Sequence, residues 1–172
     1  MFEDGKLADI TIKTLDEQEI KAHNFFLSRS KVFDEMLNNL DSKEVKKEEE
    51  GVITILDIDH DVLVEMIRYL YSDEIPKIEE MALKLLIAGH KYDIPGLVDE
   101  CGDHLAENVS IKSFAEILIV ADEFDIQFLK DAAINFVVKN RKIVFPSDVW
   151  KKLKVSHMLL AMEVMESFHL NN

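Results

Sequence analysis

Two stretches of the chain repeat one another at a constant offset of 32 residues, and this repeat limits the fold more than any other feature. Leu86-Ile87, Tyr92-Asp93-Ile94, Leu97, Cys101 and Asn108 return as Leu118-Ile119, Phe124-Asp125-Ile126, Leu129, Ala133 and Asn140. Apolar residues at helical spacing on both sides of an aromatic-Asp-Ile step describe a helical hairpin, so the second half reads as two stacked hairpins. A free-standing array needs about three such units to bury a continuous core. The pair is therefore expected to extend the helical side of another domain. After it, Ser147 to Phe168 adds Trp150 and an apolar helix around Leu159, Met162 and Met165.

The first half is mixed. Leu7 to Thr14 alternates apolar and polar residues around Ile10 and Ile12, as a half-buried strand does. Asp16-Glu17 supplies a turn, and Gln18 to Ala22 returns as the second strand of a hairpin. Two short helical stretches follow, the second with Val32, Phe33, Met36 and Leu37 on one apolar face. Asp41 to Glu50 is a charge-rich run ended by Gly51, and Val52 to Leu56 reads as a third strand. Asp59 or Asp61 is placed to cap a helix carrying Leu63, Met66, Ile67 and Leu70. Pro76 breaks the chain before the helical half begins.

Composition removes several function classes. Twenty basic residues against 34 acidic ones give a net charge of −14, which repels phosphate backbones and anionic lipid. Neither nucleic acid nor a membrane is expected as a partner; a basic protein suits the charge better. No run of about 18 apolar residues offers a membrane span, and Met1-Phe2-Glu3-Asp4 does not begin a signal peptide. The single cysteine cannot form an internal disulfide and fits a reducing compartment, the nucleus or cytoplasm.

Catalytic motifs are absent: no Gly-rich phosphate loop, no nucleophile elbow, no zinc-protease helix. Cys101 and His104 lie one helical turn apart, and with His90 they are the best candidates for a metal or thiolate site. A four-ligand site needs more, and Ala133 at the repeat counterpart of Cys101 favours a small buried hydrophobe instead. His23, His60, His157 and His169 are scattered. Glu48-Glu49-Glu50 reads as a solvated loop and the methionines of the last helix as core fillers. Neither an enzyme, a cofactor nor a metal is expected.

Leu7-Ala8-Asp9-Ile10-Thr11-Ile12, then Ile20-Lys21-Ala22-His23, then Leu27-Ser28-Arg29-Ser30-Lys31-Val32-Phe33 resembles the BTB/POZ signature. Met66-Ile67-Arg68-Tyr69-Leu70-Tyr71-Ser72 and Ala88-Gly89-His90-Lys91-Tyr92-Asp93-Ile94 match its downstream helices. The second repeat, with Ala115-Glu116-Ile117-Leu118-Ile119-Val120-Ala121-Asp122, looks like the cullin-box extension of the speckle-type POZ group, and Trp150 and Val155-Ser156-His157 fit its tail. The resemblance implies an α+β fold, a small three-stranded sheet flanked by helices, followed by stacked helical hairpins. It places a BTB/POZ domain at 6–108 and the helical extension at 109–168. It also implies an adaptor that links a client, held by a domain outside this chain, to a cullin-3 ubiquitin ligase, and that self-associates.

Three departures from the family pattern qualify the expectation. Only Met1 to Lys6 precede the first strand, so the family's dimer helix is absent or cut away and weak dimerisation is expected, through the helix starting at Ala22 and the hairpin edge. Asn24 follows Ala-His where a basic residue is usual, which removes a partner of Asp9 and weakens a corepressor role. Leu40-Asp41-Ser42 and Val45-Lys46-Lys47 do not match the hydrophobic-x-Glu motif of cullin-binding members. The expected cullin contacts are Met36 and Leu37 at the helix end, Leu40 and Val45 beyond it, and Tyr92 with Asp93 at the first repeat turn. For Met36 and Leu37 core packing is an equal alternative, and Tyr92 and Asp93 also suit structural roles at the turn, Asp93 by capping the next helix. The rival functions are a self-assembling scaffold that binds no cullin and a Skp-like linker of another cullin class.

Overall fold

The computed structural model describes residues 6–40 and 51–170, with the side chains of Leu40 and of 168–170 left undescribed. Val45 lies outside the described residues. Two compact units divide the chain, one ending at Cys101 and the other beginning at Gly102.

The first unit is built on three strands, β1 (Ile10–Thr14), β2 (Glu19–Ala22) and β3 (Val52–Ile55), in the order β2-β1-β3. β1 pairs antiparallel with β2, Ile12 opposite Ile20, and parallel with β3, Ile12 opposite Ile53. Alternation decides which face is covered: Ile10, Ile12 and Thr14, Ile20 and Ala22, Ile53 and Ile55 are all buried. The parallel pair needs a crossover, which carries α1 (Asn24–Leu27) and α2 (Lys31–Leu40). Gly51 sets the entry to β3. It has φ +76°, its carbonyl accepts the Thr11 N–H at 2.7 Å, and a Cβ there would stand 2.8 Å from the Asp9 carbonyl oxygen. Only glycine fits that approach.

Helices α3 (His60–Ser72), α4 (Ile78–Lys91) and α5 (Pro95–Glu107) complete this part of the chain. Leu63, Met66, Ile67 and Leu70 of α3 are buried as their spacing requires. Asp59 occupies the N-cap position, but its carboxylate takes the Lys84 ammonium at 2.6 Å rather than a helix N–H. The expected three-stranded sheet with flanking helices is thus the observed architecture. The division at Cys101 falls inside α5, upstream of the 108/109 boundary drawn from the sequence.

The second unit holds α6 (Phe114–Glu123), α7 (Gln127–Lys139), the short α8 (Arg141–Val144), α9 (Asp148–Ser156) and α10 (Met158–Leu170). α6 packs on α7, and α10 packs on both α7 and α9. Ser147 starts α9: its hydroxyl donates to the Val144 carbonyl at 2.6 Å and accepts the Trp150 N–H at 3.2 Å. Trp150 is buried against Phe145, ring centroids 5.0 Å apart.

The turn of the repeat is reproduced in its backbone bonds. The Ile94 N–H donates to the Gly89 carbonyl and the Ile126 N–H to the Ala121 carbonyl, both at 2.8 Å. The Asp93 N–H reaches His90 and the Asp125 N–H reaches Asp122, both at 3.3 Å. This is the Schellman termination of a helix, with aspartate in the left-handed position at φ 52° and 56° where glycine is usual. The side chains of Asn108 and Asn140 also match, donating to His104 and Phe136 carbonyls at 2.8 and 2.9 Å. The two aspartates do not cap the following helices: neither carboxylate bonds to them among the described residues. Their role is the turn itself.

A left-handed non-glycine residue costs about 1–2 kcal/mol. Asp125→Gly should leave stability unchanged or raise it by up to about 1 kcal/mol, whereas Asp125→Val should lower it by about 1–2 kcal/mol. Denaturant unfolding of the two variants beside the parent checks the sign of each.

Candidate protein-interaction surface

The residues of the N-terminal signature are used almost entirely for internal anchoring. Asp9 Oδ1 accepts the Asn24 N–H at 2.8 Å at the start of α1. The carboxylate therefore has a backbone partner, although Asn24 brings it no charge. The His23 N–H donates to the Tyr71 hydroxyl at 2.8 Å, and His23 Nε2 lies 2.9 Å from the Lys6 carbonyl. Because a carbonyl only accepts, Nε2 carries the proton, and in the neutral ring Nδ1 accepts from the Tyr71 hydroxyl at 2.7 Å. Phe26 stacks on Tyr71 with ring centroids 4.1 Å apart. Arg29 donates to the Leu70 carbonyl and pairs with Asp73 at the end of α3.

Ser30 connects α2 to the first repeat turn. It is fully buried, its hydroxyl accepts the Phe33 N–H at 3.2 Å, and it donates to the Tyr92 carbonyl at 2.5 Å. The Phe33 and Tyr92 rings lie 4.9 Å apart just beneath. Tyr92 also directs its hydroxyl to Asp57, 3.4 Å away, and burial with that neighbouring carboxylate pushes its phenol well above the usual value. The ring stays neutral throughout the physiological range.

This bridge ties the start of α2 to the Tyr92-Asp93 turn; Met36 and Leu37 lie further along the helix, and the expected contact regions are not joined by it. Individual side chains differ in what they offer. Leu37 and Tyr92 are 4% and 3% exposed, so both are core in this form. Met36 is half-buried and Asp93 exposed. Leu40 ends α2. An apolar helix face explains Leu37; the Tyr92 burial follows from its contact with Phe33, which spacing alone did not reveal.

Cys101 is fully buried, and desolvation, with the Glu100 charge adding to it, pushes its thiol up to about 12. Among the described residues no group of three or more His, Cys, Asp or Glu side chains could hold a metal ion. No helix among them is long and apolar enough to cross a membrane.

Two exposed apolar features have no counterpart in the sequence expectations. Leu15 and Leu56, 70% and 57% exposed, border an open hollow also lined by Asp16, Asp57, Asp59 and His60. In α10 the expected core methionines lie outside: Met158, Met162 and Met165 are 63%, 50% and 48% exposed, while Leu160, Ala161 and Val164 are buried. The helix is apolar on both faces, so the sequence could not say which face is covered.

A family model described as the BTB/POZ domain matches residues 1–109. Among curated proteins, the chain is 31% identical over 166 residues to protein maternal effect lethal 26 of Caenorhabditis elegans, covering 95% of this chain and 41% of that protein. It is 36% identical over 154 residues to TD and POZ domain-containing protein 3 of Mus musculus, covering 88% and 40%. A BTB/POZ domain-containing protein of Arabidopsis thaliana is 36% identical over 148 residues, covering 84% and 70%. The chain thus spans about two fifths of the length of the worm and mouse relatives. The BTB domain of zebrafish PATZ1 superposes with a TM-score of 0.51 at 16% identity, over 62% of this chain and 83% of that one, a likeness of fold.

Ser30→Ala removes a buried donor and a helix cap together, and should cost about 1–3 kcal/mol. Hydrogen exchange should show faster exchange first at the Phe33 and Asp34 amides. Native Cys101 should resist aromatic disulfide reagents at pH 8, about four pH units below its pKa, and react once the chain is unfolded.

Proposed function

The chain belongs to the BTB/POZ family of protein-interaction modules, and we propose that it serves as the adaptor unit that joins a client receptor to a cullin-3 ubiquitin ligase. The module is not catalytic; its chemistry is positioning. A scaffold that holds a client lysine near a charged conjugating enzyme raises the effective concentration of the reacting groups. The observation that best supports this reading is the helical extension past residue 109. It resembles a cullin-box, and the worm and mouse relatives align across 95% and 88% of the chain, which carries the alignment into it. The mouse relative is named for a TD domain beside its POZ domain. A client-holding domain outside residues 1–172 is consistent with that arrangement.

The proposed contact of the first unit comprises Met36, Leu40 and Val45 with Asp93. Leu37 and Tyr92 support it from within, Tyr92 by fixing the start of α2 through Phe33 and Ser30. Leu40 and Val45 stand among Asn, Asp, Lys and Glu, and a partner that covers them would gain from their apolar side chains. Burying one such side chain contributes about 1.5–3 kcal/mol, at least about tenfold in affinity.

A self-assembling scaffold is the second reading, favoured by the poor match of Leu40-Asp41-Ser42 and Val45-Lys46-Lys47 to the hydrophobic-x-Glu pattern. Calorimetry against the cullin-3 N-terminal domain separates the two. The parent should bind, and Met36→Asp, Leu40→Asp and Val45→Asp should each weaken binding about tenfold or more, with circular dichroism confirming the fold. Absence of binding by the parent, or parent-like binding by all three variants, would give the scaffold reading precedence.

A further inference from the structure

α10 is apolar around most of its circumference, and such a helix ordinarily lies inside a protein. Here one side is covered by α7 and α9 and the other is open. The open side and the end of α9 form a groove of about 450 Å³, wholly within the second unit, with Val155, Met158, Met162 and Met165 as its apolar lining. Val155 is 87% exposed. Its polar boundary is made by Lys151 and Lys154, and no acidic side chain among the described residues lines the groove. In a chain of net charge −14, the Lys151-Lys152-Leu153-Lys154 run is a local reversal of sign.

We propose that this groove is a docking site for an acidic amphipathic helix of a partner protein, independent of the contact proposed around α2. An open apolar groove suits the apolar face of a helix, with anchors at i, i+3, i+4 and i+7. Methionines adapt to different anchor shapes. The two lysines select glutamate or aspartate on the flank of that helix. Lys154 has no ion-pair partner among the described residues. Lys151 pairs with Asp148 at 2.8 Å, but both are well exposed, so that pair is weak and readily exchanged. A second copy docking groove to groove is disfavoured, because a two-fold contact would bring the lysines of both copies into one interface. An anionic membrane is opposed by the overall charge.

The test uses the full chain and two synthetic helical peptides, each with leucines along one face and either glutamates or lysines beside them. Fluorescence anisotropy should show saturable binding of the glutamate peptide and at least about tenfold weaker binding of the lysine peptide. Met162→Glu should abolish binding of the glutamate peptide. Lys151→Glu with Lys154→Glu should reverse the preference, an outcome that misfolding cannot produce. The proposal is overturned if neither peptide binds, if both bind alike, or if Met162→Glu binds as the parent does. It is equally overturned if sedimentation shows a tight dimer that Met162→Glu dissolves, or if phosphatidylserine vesicles bind the protein and the peptides do not.

Discussion

A buried hydroxyl holds together the start of α2 and the end of α4 in the first unit. Ser30 ends the connection from α1, caps α2 by accepting the Phe33 N–H, and donates to the Tyr92 carbonyl at the far end of α4. Both of its hydrogen-bonding capacities are spent on backbone groups, and each group would otherwise face an apolar interior. The bond couples elements 62 residues apart in sequence, and the contact between Phe33 and Tyr92 forms around it. The start of α2 and the α4–α5 turn are thereby held to one another by a buried bond.

The turns of the repeat show a related economy. Aspartate adopts the left-handed conformation better than most residues, because its short polar side chain tolerates that geometry. Both turns place it there with the same two backbone bonds. The Schellman geometry sets the exit direction of the chain, so each hairpin's second helix starts from the same local constraint.

Much of this was legible in the residues themselves. Alternation around Ile10 and Ile12, the 32-residue offset and the glycine ending the charged run fixed strands, hairpins and the β3 entry. Periodicity names an apolar face; it does not say which neighbour covers that face. Leu37 and Tyr92 therefore remained open between core and surface, and only the approach of α2 to the α4 terminus decides for the core. The aspartates were legible as turn residues but not as left-handed ones, since capping and αL roles share the same residue type. α10 was least legible. With apolar residues around most of its circumference, its methionines and its buried leucine look alike in sequence.

Charge of opposite sense on two length scales bears on how partners would be chosen. At physiological ionic strength fields are screened within about 8 Å, so the net −14 acts on approach and the lysines at α9 act only at contact. An acidic helix would therefore be mildly repelled on approach and attracted at contact by the two lysines of the groove. Its association would be slow, and its discrimination would reside in dissociation, through apolar burial and the two lysines. A basic partner would be drawn to the chain broadly yet rejected at that groove. With lysines beside an open apolar helix face, apolar burial and charge selection would act on one and the same partner helix.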